Sequence, residues 1–247
     1  MRKHIPNIIT CLNLVCGSCA IILTLWGFFY QAFLFIIAAA VFDFCDGAAA
    51  RLLGAYSDIG KELDSLSDVI SFGLAPSLMF FTWYYKINSD CPSVLAFVAL
   101  LVAPFSALRL AKFNLDERQT TDFLGVPTPV TAMIISSMVS YAHICHIREV
   151  DSIVIELLCT SWFIPVCSVF LSLLLISEIP MFSFKHKELQ YKSHPVEMTF
   201  IAIAVFLIPF AILFSEVRGV IPVISLYILL LFVVYLIVNC AKNLSSH

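Results

Sequence analysis

Residues 43–68 read DFCDGAAARLLGAYSDIGKELDSLSD, and six of the chain's 17 acidic residues fall inside this stretch. Apolar runs flank it on both sides, so it marks where one long helix ends, the chain turns and another begins. Asp43 and Asp46 are three residues apart and share a helix face; Asp64 and Asp68 are four apart and share another. The segment between the pairs carries Gly54 and Gly60 and can fold the chain back, which lets the two carboxylate pairs face one another. Asp58 and Glu62 fall off that shared face and read as complements of a helix N-terminal dipole.

The rest of the chain says what kind of molecule holds these acids. Of 247 residues, 61% are apolar and 13% charged, with 22 Phe and a net charge of −3. Soluble domains carry about 25% charged residues, so half that charge cannot cover a water-facing surface. The sequence is that of an integral membrane protein, and soluble, fibrous and disordered classes are excluded. No basic run points to nucleic acid.

A membrane helix needs roughly 20 predominantly apolar residues. Eight stretches qualify, near 8–26, 29–51, 63–85, 93–113, 126–144, 152–175, 197–215 and 219–241. The expected fold is therefore all-α, one polytopic bundle over residues 1–247. Arg2 and Lys3 ahead of the first apolar run resemble a signal peptide, but the long run without a small-residue cleavage site reads as a retained helix. With the N-terminus inside, eleven of the 14 Lys and Arg fall on the cytoplasmic side and three outside. That bias places both termini, and the acidic stretch, at the cytoplasm.

Ionisable groups at membrane depth are costly and mark function. Four carboxylates close together need a counter-charge, and a divalent cation with oxygen ligands supplies it; Mg²⁺ or Mn²⁺ suits, above all where substrate phosphates complete the shell. The small side chains at Gly47, Ala50 and Gly60 leave room for a bulky ligand. A cation transporter would spread its acids over membrane depth rather than cluster them, and a scaffold would give them no task. Cys16 and Cys19 have redox spacing but lie in an apolar run, where cysteines act as small hydrophobes. His143 and His146 have no partner cluster in the sequence.

The pattern Asp43-x2-Asp46-Gly47-x2-Ala50-Arg51-x8-Gly60-x3-Asp64-x3-Asp68 resembles, without a departure, the signature of the CDP-alcohol phosphotransferases. The resemblance implies an enzyme that moves a phosphatidyl-type group from a CDP-linked lipid to an alcohol and releases CMP. It implies divalent metal at Asp43, Asp46 and Asp64, with Asp68 as general base and further metal ligand. Gly47, Ala50 and Gly60 would border the CDP-lipid, Arg51 would stabilise local charge, and the enzyme would be a homodimer. The family core would span about 1–176, with two further membrane helices at about 197–241.

Three more stretches resemble the membrane-embedded phosphatidylserine synthase branch. These are IPNIITCLNLVCG (5–17), ALRLAKFNLDERQTTDFLGVPTPVTA (107–132) and SEIPMFSFK (177–185). They imply CDP-diacylglycerol as donor and L-serine as acceptor; sibling enzymes would use glycerol phosphate, an inositol phosphate or an archaeol-type lipid. Arg109 and Lys112 end an apolar helix on the positive-inside flank. Arg109, with Asn114, is a candidate for receiving an anionic group. Lys185, Lys187 and Lys192 could draw anionic membrane lipids to the surface.

Overall fold

The structure, a computed structural model, describes residues 4–88, 93–115, 123–181, 207, 211–213 and 219–245. Helix α1 runs Ile5–Leu25 and opens on Pro6, which the first helical turn tolerates because its N–H needs no partner there. It turns at Gly27, whose φ of 81° is left-handed, into α2, Phe29–Leu53. Gly54 closes α2 in the left-handed conformation, and the amide of Ala55 donates to the Ala50 carbonyl at 3.0 Å. This glycine cap satisfies carbonyls that a helix end leaves open.

Ser57 then caps α3, Asp58–Asp68, its hydroxyl accepting from the Gly60 amide at 3.0 Å. The helix does not stop at Asp68. It passes through a π-helical segment, Val69–Leu74, into α4, Ala75–Ile87, giving a continuous span of 30 residues. A 3-10 stretch at Val94–Leu101 leads into α5, Val102–Leu115. There follow α6, Thr128–Ile147, α7, Ile153–Cys159, α8, Phe163–Ile176, and α9, Val220–Ser245.

Among the described residues six helices are long and apolar enough to cross a membrane, or seven spans if α7 and α8 count together. The expected straight span at 152–175 is instead broken by 95° between α7 and α8. The break falls at Ser161–Trp162, which follow Thr160 in extended backbone; a hydropathy window cannot see such a bend because both arms are apolar. The expected span at 197–215 lies almost wholly outside the described residues. Among the described residues the architecture is a helical membrane bundle, with one short strand pair outside the helices.

The core packs Phe29, Phe33 and Ile36 of α2 against Phe72, Met79, Phe80 and Trp83 of the long span. Small residues set the closest approaches. A Cβ on Gly17 would stand 2.8 Å from the Ser71 Cα, and one on Gly73 would stand 3.1 Å from the Ser106 Cβ. The π-helical segment is thus gripped between α1 and α5. On the far side of α6, the hydroxyls of Ser140 and Ser225 meet at 3.1 Å and tie α9 to the bundle.

Two segments outside the helices, within the motif stretches at 107–132 and 177–185, join one another. Phe123–Leu124 (β1) pairs antiparallel with Pro180–Met181 (β2). The amides of Gly125 and Val126 donate to the Ile179 and Leu174 carbonyls at 3.0 and 3.1 Å. Gly125 has φ 76°, and a Cβ there would lie 2.6 Å from the Leu175 carbonyl oxygen. Only glycine fits this position.

Candidate active site

Asp43 on α2 and Asp64 and Asp68 on α3 each bring a carboxylate oxygen to within 4.8 Å of the others. The 43/46 and 64/68 spacings thus converge as expected, with one difference. Asp46, one helical turn beyond Asp43, is buried at 5% exposure but stands outside this triad. It lines a cavity instead.

That cavity holds about 480 Å³. Asp46 and Asp64 lie along it together with Gly47, Ala50 and Gly60, the three small residues expected to border a bulky ligand. The exposed lining residues Tyr56, Ser57, Asp58 and Lys61, on and after the α2–α3 connection, form its mouth, with Ala55 buried behind them. Asp43 precedes the end of α2 by ten residues, or about 15 Å of helix. The triad is therefore set back from the helix end, and the cavity occupies that depth. Asp64 belongs to both.

Gly47 has open space where a Cβ would stand, whereas a Cβ on Gly60 would meet Asn7 Oδ1 at 3.0 Å and Ser57 Oγ at 2.9 Å. Gly47 thus widens the cavity, and Gly60 lets α1 approach α3. Arg51 lies beside the cavity, exposed, its Nε donating to the Gly47 carbonyl at 3.1 Å. Asp58, read from sequence as a dipole partner only, faces the cavity as well as the α3 N-terminus.

Helix α1 supplies what the acidic pattern alone does not show. Ser67 and Ser71 donate to the Thr10 and Asn13 carbonyls at 3.2 and 3.1 Å. The side-chain amide of Asn13 donates to Asp68 Oδ1 at 3.1 Å, and both residues are buried. Polar positions 7, 10 and 13 recur at helical spacing along one face of an apolar helix, a signal legible in sequence; their partners were not.

Helix α5 closes the other side. Lys61 donates to the Asn114 carbonyl at 3.1 Å, and the Asn114 amide donates to Ser65 at 2.8 Å. Together with the Gly73–Ser106 approach, these contacts fix an antiparallel register between α5 and the long span. That register sets Arg109 close to the level of Asp68. Arg109 is buried at 7% exposure, within electrostatic reach of Asp68 and the Tyr235 phenol, and stacks 5.7 Å from the Phe113 ring centroid.

The donor set suits a hard divalent cation. Asp46 Oδ2 and Asp64 Oδ1 are buried without a hydrogen-bond partner, and unpaired buried carboxylate oxygens call for a cation. Among the described residues no other group of three His, Cys, Asp or Glu is arranged to hold a metal. His143 packs instead against the Phe29 and Trp83 rings, and Cys16 and Cys19 are unpaired thiols.

A family model described as CDP-alcohol phosphatidyltransferase matches residues 3–174, which include the triad and every residue named around it except Tyr235. The chain is 39% identical over 131 residues to the CDP-diacylglycerol–serine O-phosphatidyltransferase of Bacillus subtilis, covering 53% of this chain and 72% of that one. It is 34% identical over 158 residues to the enzyme of the same name from Methanocaldococcus jannaschii, covering 64% and 71%. It is also 36% identical over 135 residues to an archaetidylserine synthase of Methanothermobacter thermautotrophicus, covering 54% and 56%. With the family model spanning well over half its length and the acidic signature folded into one site, the chain belongs to the CDP-alcohol phosphatidyltransferase family.

Proposed function

We propose that this protein transfers the phosphatidyl group of CDP-diacylglycerol to L-serine, forming phosphatidylserine and releasing CMP. The observation that carries the reading is a carboxylate triad that shares Asp64 with a cavity large enough for a nucleotide, with the buried Arg109 within electrostatic reach of Asp68. The named relatives supply the substrate pair.

Gly47, Ala50 and Gly60 border the CDP moiety, and Asp46 and Asp64 reach it along the cavity wall. Asp43, Asp46, Asp64 and Asp68 would hold Mg²⁺ or Mn²⁺, which when bound would supply positive charge against the pyrophosphate and the departing CMP. Arg51 pins the Gly47 carbonyl and adds positive charge near the cavity. Arg109 receives the serine carboxylate, while Asn114 clamps α5 to α3 and fixes where Arg109 stands.

Asp68 takes the proton of the serine hydroxyl as general base. The serine oxygen forms a bond to the phosphorus bearing diacylglycerol. The bridging P–O bond breaks, and its electron pair leaves with CMP. Asn13 donates to one Asp68 oxygen and leaves the other for the acceptor proton.

The protein acts as one membrane domain, with the family core to about residue 176 and α9 tied to it through Ser140 and Ser225. Both termini and the cavity mouth face the cytoplasm of the inner cell membrane, and the enzyme is a homodimer. A CDP-archaeol donor is the second reading, favoured by the likeness to the archaetidylserine synthase. Supplying purified protein and Mg²⁺ with labelled serine and either donor tests both: labelled phosphatidylserine supports the first, labelled archaetidylserine alone the second. Label transferred only from glycerol 3-phosphate overturns both.

A further inference from the structure

Asp68 accepts from the buried Asn13 amide and lies within electrostatic reach of the buried Arg109, and each of these two residues keeps one side-chain atom, of opposite hydrogen-bonding sense, without a partner among the described residues. On α1, Asn13 is fully buried and its Oδ1 is unsatisfied. On α5, Arg109 Nε is likewise unsatisfied. The orientation of the Asn13 amide follows from chemistry. An ionised carboxylate only accepts, so the amide edge facing Asp68 must be the NH₂, and the carbonyl oxygen is left over. A buried polar atom without a partner costs about 1–3 kcal/mol, and two at one level of the same site point to a ligand that satisfies both.

We infer that Asn13 is a specificity-determining residue that accepts a hydrogen bond from the ammonium group of a zwitterionic acceptor, while Arg109 holds its carboxylate and Asp68 faces its hydroxyl. The inference rests on the proposed serine reaction and adds the group that recognises the amine. A three-point match of acceptor atom, donor atom and base selects a 2-amino-3-hydroxy acid. An alcohol lacking either charged group leaves one of the two atoms unpaired, and sites built this way reject such analogues strongly.

The test compares serine with two truncated acceptors, glycerate of matching configuration (no ammonium) and ethanolamine (no carboxylate). Purified wild type, Asn13→Ala and Arg109→Gln are each assayed for CMP release with CDP-diacylglycerol and Mg²⁺. In Asn13→Ala the serine KM rises by at least about tenfold, the KM for CDP-diacylglycerol stays unchanged, and the preference for serine over glycerate collapses. In Arg109→Gln the preference for serine over ethanolamine collapses instead. Equal loss towards serine and glycerate in Asn13→Ala overturns the inference, because a structural role of Asn13 would lower both alike.

If Asn13→Ala does not fold, inhibition of the wild type by the two analogues decides. The inference requires glycerate to bind at least about tenfold more weakly than serine, and glycerate binding as tightly as serine overturns it. Wild type that makes no phosphatidylserine from serine fails the underlying reading, a result distinct from either outcome.

Discussion

At the scale of single residues, Asp68 concentrates the chemistry. It is 7% exposed, belongs to the triad and is held by Asn13. Asp68→Asn keeps the volume and the burial but removes the base. Its turnover should fall by about 10²–10⁴-fold with an unchanged melting temperature in detergent; near-normal CMP release by folded Asp68→Asn would remove Asp68 from its assigned role. The acids were legible in the sequence because a 3- and 4-residue spacing survives any detail of packing. That Asp46 stands outside the triad was not legible, since spacing along one helix does not say where the neighbouring helix crosses it. The same holds for the place of Asn13 and Arg109 about Asp68, which lies in register: Ser67–Thr10 and Ser71–Asn13 fix α1, and Ser65–Asn114 and Gly73–Ser106 fix α5, so that Arg109 was legible as a candidate for an anion but not as a neighbour of Asp68.

At the scale of elements, the π-helical segment Val69–Leu74 and its two close approaches hold Asp68 in place. A π-turn widens the helix, and such turns occur often at functional sites. Gly17→Ala drives a Cβ into Ser71 Oγ and sets it 2.8 Å from the Ser71 backbone. It should push α1 off the segment, break the Asn13–Asp68 hydrogen bond and lower both activity and melting temperature. Ser71→Ala should not rescue it, because the clash with the backbone remains; full rescue in the double variant would show that only the hydroxyl was in the way. Gly125→Ala meets a carbonyl oxygen at 2.6 Å from a left-handed backbone. It should cost about 1–3 kcal/mol, read as a lowered melting temperature. The motif stretches at 107–132 and 177–185 were visible as sequence patterns, but their mutual pairing through β1 and β2 was not, because two-residue strands leave no periodicity to find.

At the scale of the whole molecule, composition and hydropathy were enough to read a membrane bundle, and six of the expected spans correspond to long apolar helices. The α7–α8 break escaped because hydropathy measures transfer from water, not direction. The Lys and Arg distribution predicts which end faces the cytoplasm. A cysteine at Tyr56, 74% exposed at the cavity mouth, should react with an impermeant maleimide in inverted vesicles and stay protected in right-side-out ones, above the background of the native thiols. Labelling with the opposite sidedness would reverse the topology. The donor set also predicts that chelation by EDTA abolishes CMP release and that Mg²⁺ or Mn²⁺ restores it; turnover that persists under chelation would leave the carboxylates without their assigned cation.

The most direct measurement is the product itself. Purified protein in lipid is given CDP-diacylglycerol, Mg²⁺ and labelled L-serine, with glycerol 3-phosphate and an inositol phosphate offered separately. Labelled phosphatidylserine and CMP in equal amounts, lost in Asp68→Asn, is the predicted result. CMP release that depends on another alcohol, with serine left unlabelled in the lipid fraction, would contradict it.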